Sequence, residues 1–498
     1  MTRPPFPVNG VIGIVANSTD ELRQANEAGL SSIEVRADLL LKAGLSVAGL
    51  LGLVRQARTQ GLNVLFTLRH PSHGGVFEGT EEDRLAINLN AIAAGAQVVD
   101  AEWDLPVSSM LLEAGAPVLL SCHNFDRMLS PRELEDVTAK MSSVNPLGLK
   151  VVPTASSIAD ATDMLEWVSA RADDEPHRIG FAMGPLGATS RILTIAHGAP
   201  ITYAAFGESV APGQIALNEL VGLYRAHELN AETRCFGIVG THTLASRSPH
   251  LHNPALHKRN INAVYLPLQI EHFDDLLNNA ARLRLDGIGI TIPFKEAALA
   301  ASTKADDRSK SCGASNTLVF DRSRDMEALA AYNTDFDGVL TPIRRLTDDD
   351  ELRVAVIGNG GAARGAVDAL RSSGAHVKLF FRNPARGAPV ATALGVEGAT
   401  LDGLPTDYDV YINATPLGTR LDDPSPVPAD VFSSGRSIAF EMIYQNPETR
   451  FLKDARDAGA PTIEGMQMLV AQAVEQFRHL TGESATVPEF EAYSNVSW

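Results

Sequence analysis

Eight short apolar, β-prone runs recur through the first half of the chain, each followed by room for one helix. They are Val11–Ala16, Ser32–Asp38, Asn63–Arg69, Gln97–Asp104, Val118–His123, Leu147–Pro153, Arg178–Gly184 and Ile201–Gly207, with successive starts 21, 31, 34, 21, 29, 31 and 23 residues apart. Hairpins need only a few residues between strands, whereas parallel pairs need crossovers of a dozen or more. The runs are continuously apolar, as strands buried on both faces must be. Between them, stretches such as Ala86–Gly95 and Ile158–Ala170 carry apolar residues at helical spacing. Eight βα units in about 225 residues predict a TIM (β/α)8 barrel. A doubly wound open sheet shares this periodicity, which does not separate the two.

At 498 residues the chain exceeds one hydrophobic core, so two to four domains are expected. Its 60 acidic against 42 basic residues give −18, the wrong sign for a nucleic-acid groove. An anionic substrate would therefore need a locally basic site. No apolar run reaches the ~20 residues of a membrane span. The opening MTRPPFPVNG carries neither a signal nor a transit pattern, which predicts a cytoplasmic protein. Cys122, Cys235 and Cys312 are too scattered for a disulfide framework or a zinc site, so no metal is expected.

A barrel carries its chemistry at the C-terminal ends of its strands. There the sequence places Glu34, Arg36 and Asp38, then Arg69, Glu102, Asp104 and His123, with Lys150 in the sixth run and Arg191 after the seventh. Singly, each reads as a charge network or a satisfied core residue; convergence on one pocket changes the balance. A lysine flanked by Leu149, Val151 and Val152 would be desolvated, freeing a neutral amine that adds to a ketone. His123 suits proton movement, and Arg69 and Arg191 suit a carboxylate.

Ile33–Asp38, Leu65–Arg69, Ser121–Phe125, Leu149–Lys150, Met183–Arg191 and Ala211–Gln214 together resemble type I 3-dehydroquinate dehydratase over roughly residues 8–225. The resemblance implies Lys150 as Schiff-base former and His123 as general acid/base. It implies Glu34, Arg36, Arg69, Arg191 and Gln214 as substrate binders, and the conversion of 3-dehydroquinate to 3-dehydroshikimate. Two positions depart from the family. His73 stands where a glutamate usually orients the catalytic histidine, and Val210 stands where serine is common. A neutral histidine fixes a tautomer but does not support an imidazolium as a carboxylate does, so slower or pH-shifted proton transfer is expected.

Polar Arg225–Cys235 is expected to end the first unit. Beyond it, Leu352–Ala363 reads strand, glycine turn, helix, the context in which a G-x-G-x-x-A pattern means dinucleotide binding. Gly358 permits the turn, Gly360 lets backbone approach a pyrophosphate, and Ala363 allows close packing. The next strand, His376–Phe381, is followed by Arg382 and Arg386 rather than the acid that holds a ribose 2′-hydroxyl, which favours NADP. Strands are expected at Phe236–Gly240, Ala263–Leu266, Gly287–Ile290 and Thr317–Phe320.

Ser246–Asn253, Thr291–Lys295, Ala314–Thr317, Tyr332–Gly338, Asn413–Gly418, Glu441–Tyr444 and Glu464–Gln472, in order around the glycine turn, resemble shikimate dehydrogenase across residues 235–498. The resemblance implies Lys295 and Asp335 as the catalytic pair, with Ser246, Ser248, Thr291, Asn316 and Gln472 on the substrate. It implies Gly358, Asn359, Gly360, Gly361, Ala362, Arg382, Arg386, Thr415, Met442 and Gly465 on the cofactor. A structural ion pair is the plainer reading of Lys295 and Asp335. Thr241–Ala245 departs from the family's Pro and His before Ser-x-Ser. The expected organisation is a barrel over 1–228, a substrate domain over 235–340 completed by 465–498, and a Rossmann-type domain over 341–464. The expected function is a bifunctional shikimate-pathway enzyme that makes 3-dehydroshikimate and reduces it to shikimate, with small-molecule substrates and neither nucleic acid nor membrane as a partner. Two alternatives stand beside it: a quinate/shikimate dehydrogenase with a weakened dehydratase, and a non-catalytic metabolite sensor.

Overall fold

A computed structural model describes residues 4–173, 175–207, 213–321, 328–349, 351–402 and 404–496. The first eight strands are β1 (Gly10–Val15), β2 (Ser32–Arg36), β3 (Asn63–Thr67), β4 (Val98–Glu102), β5 (Val118–Asn124), β6 (Gly148–Pro153), β7 (His177–Gly180) and β8 (Ile201–Ala205). All pair in parallel in sequence order, and β8 pairs back onto β1. That return curls the sheet and decides for the barrel over an open sheet. The ring is not fully laddered: β9 (Ile215–Ala216) takes the free edge of β8, and no β7–β8 pairing occurs among the described residues. β7 stops at Gly180 rather than Gly184, because its ladder with β6 ends at Val151. Beyond it only a single bridge, Thr154 to Met183, continues the contact.

A two-residue step along each strand climbs the barrel interior. Leu65, Val98, Leu119, Ile179 and Ile201, with Phe6 and Val8 from the N-terminal segment, form an apolar floor. The next positions up are Thr67, Asp100, Ser121 and Tyr203, and Arg69, Glu102 and His123 follow at the rim. The intervening residues, among them Val64, Phe66, Val99, Leu120 and Val151, belong to the layer shared with the outer helices.

A second sheet holds β10 (Arg234–Gly240), β11 (Ala263–Gln269), β12 (Leu285–Ile290), β13 (Lys304–Ala305), β14 (Thr317–Asp321) and β15 (Ala328–Tyr332), ordered β11-β10-β12-β14-β15-β13. Arg234 and Cys235 already lie in β10, so the polar connecting stretch ends earlier than its composition suggests. The third sheet holds β16 (Arg353–Ile357), β17 (His376–Phe381), β18 (Glu397–Thr400), β19 (Val410–Asn413), β20 (Ile438–Glu441) and β21 (Thr462–Ile463). It is parallel throughout, in the order β18-β17-β16-β19-β20-β21. The order reverses between β16 and β19, where a doubly wound sheet opens its ligand crevice.

The helix Gly465–Thr481 returns to the second sheet, burying Val470, Ala473, Val474 and Phe477 against Phe236, Ile238 and Tyr265. Gln476 bonds the Thr317 hydroxyl at 3.0 Å and receives the Tyr265 hydroxyl at 3.1 Å. The barrel touches this unit directly. Thr189 Oγ1 donates to the Pro267 carbonyl at 3.1 Å, and Arg282 reaches Asp163 and Glu166 on the barrel helix Ile158–Ser169.

Candidate active sites

The barrel mouth is a cavity lined by Glu34, Arg36, Arg69, His123, Lys150, Arg191 and Gln214, all seven dehydratase positions singled out in the sequence. His73, Gly74, Phe125, Phe181, Met183 and Tyr203 are also part of its wall. Val210 lies outside the described residues. Asp100 is the residue that organises the charges, and sequence reasoning passed over it. Its Oδ2 is 3.1 Å from Lys150 Nζ and 2.9 Å from Arg69, and its Oδ1 accepts from the Ser121 hydroxyl at 2.6 Å. Arg69 also meets Glu102 at 3.3 Å, and Glu102 is held from below by buried Arg84. Arg36 pairs with Asp38 through two bonds of 2.9 and 3.0 Å. The arginines thus do not leave the mouth simply positive, because Asp38 accompanies Arg36, and Asp100 and Glu102 accompany Arg69.

Lys150 is only 5% exposed, with its ammonium 4.4 Å from the centre of the Tyr203 ring. Burial pulls it below the ordinary lysine range, and Asp100 and Glu34 oppose that pull. Burial also holds His123 far below the usual imidazole range, helped by Arg69 and Lys150. Burial alone would raise Asp100, but Arg69 and Lys150 outweigh it and keep the carboxylate ionised. Arg191 lies 4.5 Å from the Phe181 ring centre, and burial pushes it down to about 10, still charged at neutral pH. A depressed lysine beside a neutral histidine is an arrangement for amine addition and proton shuttling.

In the second unit, Ser246, Ser248, Thr291, Lys295, Asn316, Asp335 and Gln472 line one cavity, and Met442 and Gly465 reach it from the third sheet's side. Lys295 opens the helix Lys295–Ala301 and Asp335 opens Asp335–Arg344. Their charged atoms lie 2.5 Å apart. Asn316 donates to the other Asp335 oxygen at 2.9 Å and to Gln472 at 3.3 Å, so the carboxylate is fixed from two sides. Thr241 and His242 from the divergent loop still form wall, and Tyr444 and Gln476 are lining residues that were not singled out.

An adjacent cavity is lined by Gly358, Asn359, Gly360, Arg382, Arg386 and Thr415. Gly361 and Ala362 start the helix Gly361–Ser372 beside it without lining it. Gly358 has φ +122°, and a Cβ there would meet the Ala414 carbonyl at 2.6 Å. This glycine is required by the turn itself. Two arginines at the end of β17 and a helix N-terminus suit a phosphorylated dinucleotide, so the residues fit NADP. Beneath, both oxygens of the buried Glu441 carboxylate accept from Asn413 at 2.9–3.0 Å and also from the Ile443 amide and the Thr449 hydroxyl, and Asn413 in turn accepts from the Thr415 amide and hydroxyl.

Fold and cavities together define a two-site enzyme, a lyase barrel joined to a nucleotide-dependent oxidoreductase. Residues 12–231 match the family model of type I 3-dehydroquinase, and residues 238–318 match the shikimate dehydrogenase substrate binding domain. The chain is 30% identical over 506 residues to the bifunctional 3-dehydroquinate dehydratase/shikimate dehydrogenase, chloroplastic, of Arabidopsis thaliana, covering 94% of this chain and 81% of that one. Over 266 residues it is 34% identical to the shikimate dehydrogenase (NADP(+)) of Methanocella arvoryzae, covering 51% of this chain and 96% of the relative. The crystal structure of shikimate dehydrogenase from Aquifex aeolicus is matched over its whole length and 54% of this chain, at 28% identity and a TM-score of 0.51. The chain belongs to the family of bifunctional 3-dehydroquinate dehydratase/shikimate dehydrogenases. It is accordingly both a lyase and an NADP-dependent oxidoreductase. No helix among the described residues is long and apolar enough to cross a membrane.

Proposed function

We propose that the barrel converts 3-dehydroquinate to 3-dehydroshikimate on Lys150 and that the second half reduces this product to shikimate. The observation that carries the reading is the convergence of seven chemically matched side chains, from several strands, a short helix and the rim segments, on one cavity. The neutral form of Lys150 adds to the substrate ketone, and the carbinolamine hydroxyl takes up one proton from solvent and leaves as water, giving a protonated imine. His123 accepts the proton from the adjacent carbon, forming the enamine, and returns it to the departing hydroxyl, which leaves as water. Hydrolysis of the imine frees Lys150. Arg191, which lines the cavity 4.5 Å from the Phe181 ring centre, is the arginine we assign to the substrate carboxylate, with Arg36 and Arg69 beside it. Glu34 and Gln214 then face the hydroxyls.

In the second half, NADPH when bound supplies the reducing equivalent. Ser246, Ser248, Thr291, Asn316 and Gln472 orient the ring, and Lys295, held by Asp335, gives the proton to the carbonyl oxygen. Gly358, Asn359, Gly360 and Thr415 would line the phosphates, with Arg382 and Arg386 on the 2′-phosphate. The three separate sheets support a division into three domains, 1–228, then 235–340 with 465–498, then 341–464. The three free cysteines fit a reducing compartment such as the cytoplasm.

The test pairs two substitutions in the full chain. Lys150→Ala is expected to abolish dehydration and the borohydride-trapped adduct with 3-dehydroquinate while sparing NADPH oxidation by 3-dehydroshikimate. Lys295→Ala is expected to do the reverse. Turnover of quinate with NAD+ in place of shikimate formation would favour the quinate alternative. No adduct and no oxidation in the parent chain would favour the sensor.

A further inference from the structure

The position that departs most from its family is not left without a carboxylate. His73 Nε2 lies 2.9 Å from Asp104 Oδ1, and the His73 side chain is only 10% exposed while Asp104 is 44% exposed. Asp104 sits just beyond β4, and His73 ends the short turn Pro71–His73 after β3, so neighbouring strand ends bring them together. The His73 and His123 rings stand edge to face, 6.4 Å apart and inclined at 76°. The Nδ1 atoms of both rings are buried without a hydrogen-bond partner. Phe125 stacks on the other side of His123 at 6.1 Å.

A carboxylate accepting at Nε2 fixes a histidine as the Nε2–H tautomer, which leaves Nδ1 as an acceptor. In His73 that acceptor lacks a partner, and the nearest imidazole is His123. The 6.4 Å separation is too long for a direct N–H···N bond, and it suits closure with substrate or one bridging water. We propose that Asp104 and His73 act in series as the positioning group for His123, replacing the single carboxylate of the family with a His–Asp pair. His73 then holds His123 with a proton on Nδ1 and its Nε2 free for the substrate. When His123 takes up a second proton, His73 Nδ1 stabilises the Nδ1–H, and Asp104 supports the positive charge that His73 shares. The charged and titratable groups around this chain are Arg69, Lys150 and Asp100 at His123, with Cys122 near Asp104.

The inference rests on His123 and Lys150 acting as proposed above, and its experiment keeps the two separable. Asp104→Asn, His73→Glu and the double variant are made in the full chain, with shikimate dehydrogenase activity of each preparation as the folding control. Dehydratase kcat and KM are followed from pH 5 to 9, and the Lys150 adduct is trapped with borohydride. Asp104→Asn is expected to lower kcat at least tenfold, below the ~10²–10⁴ of a whole acid–base group. KM should stay within about twofold, the acid limb of the kcat profile should move, and the Lys150 adduct should still form. His73→Glu is expected to remove the dependence on Asp104, so that the double variant matches His73→Glu alone. An unchanged kcat profile in Asp104→Asn, or an equal loss in the His73→Glu background, overturns the pair. Absence of turnover and of adduct in the parent chain overturns the Lys150 and His123 roles and the pair with them.

Discussion

One oxygen of Asp100 serves two buried cations, lying 3.1 Å from Lys150 Nζ and 2.9 Å from Arg69. The arrangement sets how far the lysine departs from its ordinary range. Burial pulls Lys150 down, Asp100 holds it up, and Arg69 pushes it down again. Asp100→Asn removes the opposing charge, so the pH midpoint of borohydride trapping on Lys150 should fall. The two cations also lose a shared counterion, which costs about 3–5 kcal/mol when a buried pair is broken on one side. Denaturant unfolding followed by Trp103 and Trp167 should register that loss. An unmoved trapping midpoint with unchanged stability would deny Asp100 this role.

Acid sensitivity in the second half has a definite source. His252 is 1% exposed, stacked on Tyr265 at 4.2 Å and flanked by Phe477 and Phe490, and burial pushes it down to about 3. The unfolded histidine binds a proton near pH 6.5 while the folded one refuses it. Stability from this group is therefore complete above about pH 6.5 and declines as pH falls toward 3. At pH 4.5 the loss approaches about 2–3 kcal/mol. His252→Phe should flatten the decline in Tm between pH 6.5 and 4.5, and an equally steep decline in that variant would place the sensitivity elsewhere.

Much of this was legible in the sequence because βα spacing and apolar continuity constrain the sheets to parallel strands, whereas the order that closes the barrel shows only in the return of β8 onto β1. Asp100 was missed for an instructive reason. In Val98-Val-Asp-Ala-Glu102 it reads as one polar residue inside an apolar strand, and attention goes to the strand's end. Period two would have caught it, since Asp100 shares parity with Val98 and Glu102, as Ser121 does with Leu119 and His123. Other features depend on register and are not local. β7 ends at Gly180, where its register with β6 stops at Val151 although β6 itself runs on to Pro153. Ala328–Tyr332 has the composition of a helix and becomes a strand by pairing with β14 and β13 on either side. The His73–Asp104 contact joins residues on different loops, and only the closed rim shows that they meet.

The two halves contact each other through links of unequal weight. Thr189 is buried, bonds the Pro267 carbonyl, and sits on the short helix that carries Arg191. Thr189→Val leaves a buried carbonyl without its donor, a cost of about 1–3 kcal/mol. The resulting shift of the helix should raise the dehydratase KM more than it lowers kcat. Arg282 with Asp163 and Glu166 is a partly exposed surface link, its side chain 32% exposed, and such pairs contribute about 0–1 kcal/mol. Arg282→Ala should therefore change neither Tm nor KM appreciably. Equal effects of both substitutions would contradict the ranking.

Cofactor choice rests on Arg382 and Arg386, which line the cavity beside Gly358 and Gly360. A 2′-phosphate presents two negative charges to them, and a 2′-hydroxyl presents none. Each charge-assisted bond contributes about 1.5–3 kcal/mol, so Arg382→Ala and Arg386→Ala should each raise KM for NADPH by roughly ten- to a hundredfold. KM for NADH should move little, because no contact with that molecule is lost. If the arginines act together on one phosphate, the double variant should lose less than the product of the single effects. Steady-state kinetics with both cofactors at saturating 3-dehydroshikimate measures all three variants. A parallel rise in KM for NADH would mean that the arginines shape the adenosine pocket as a whole and do not read the phosphate.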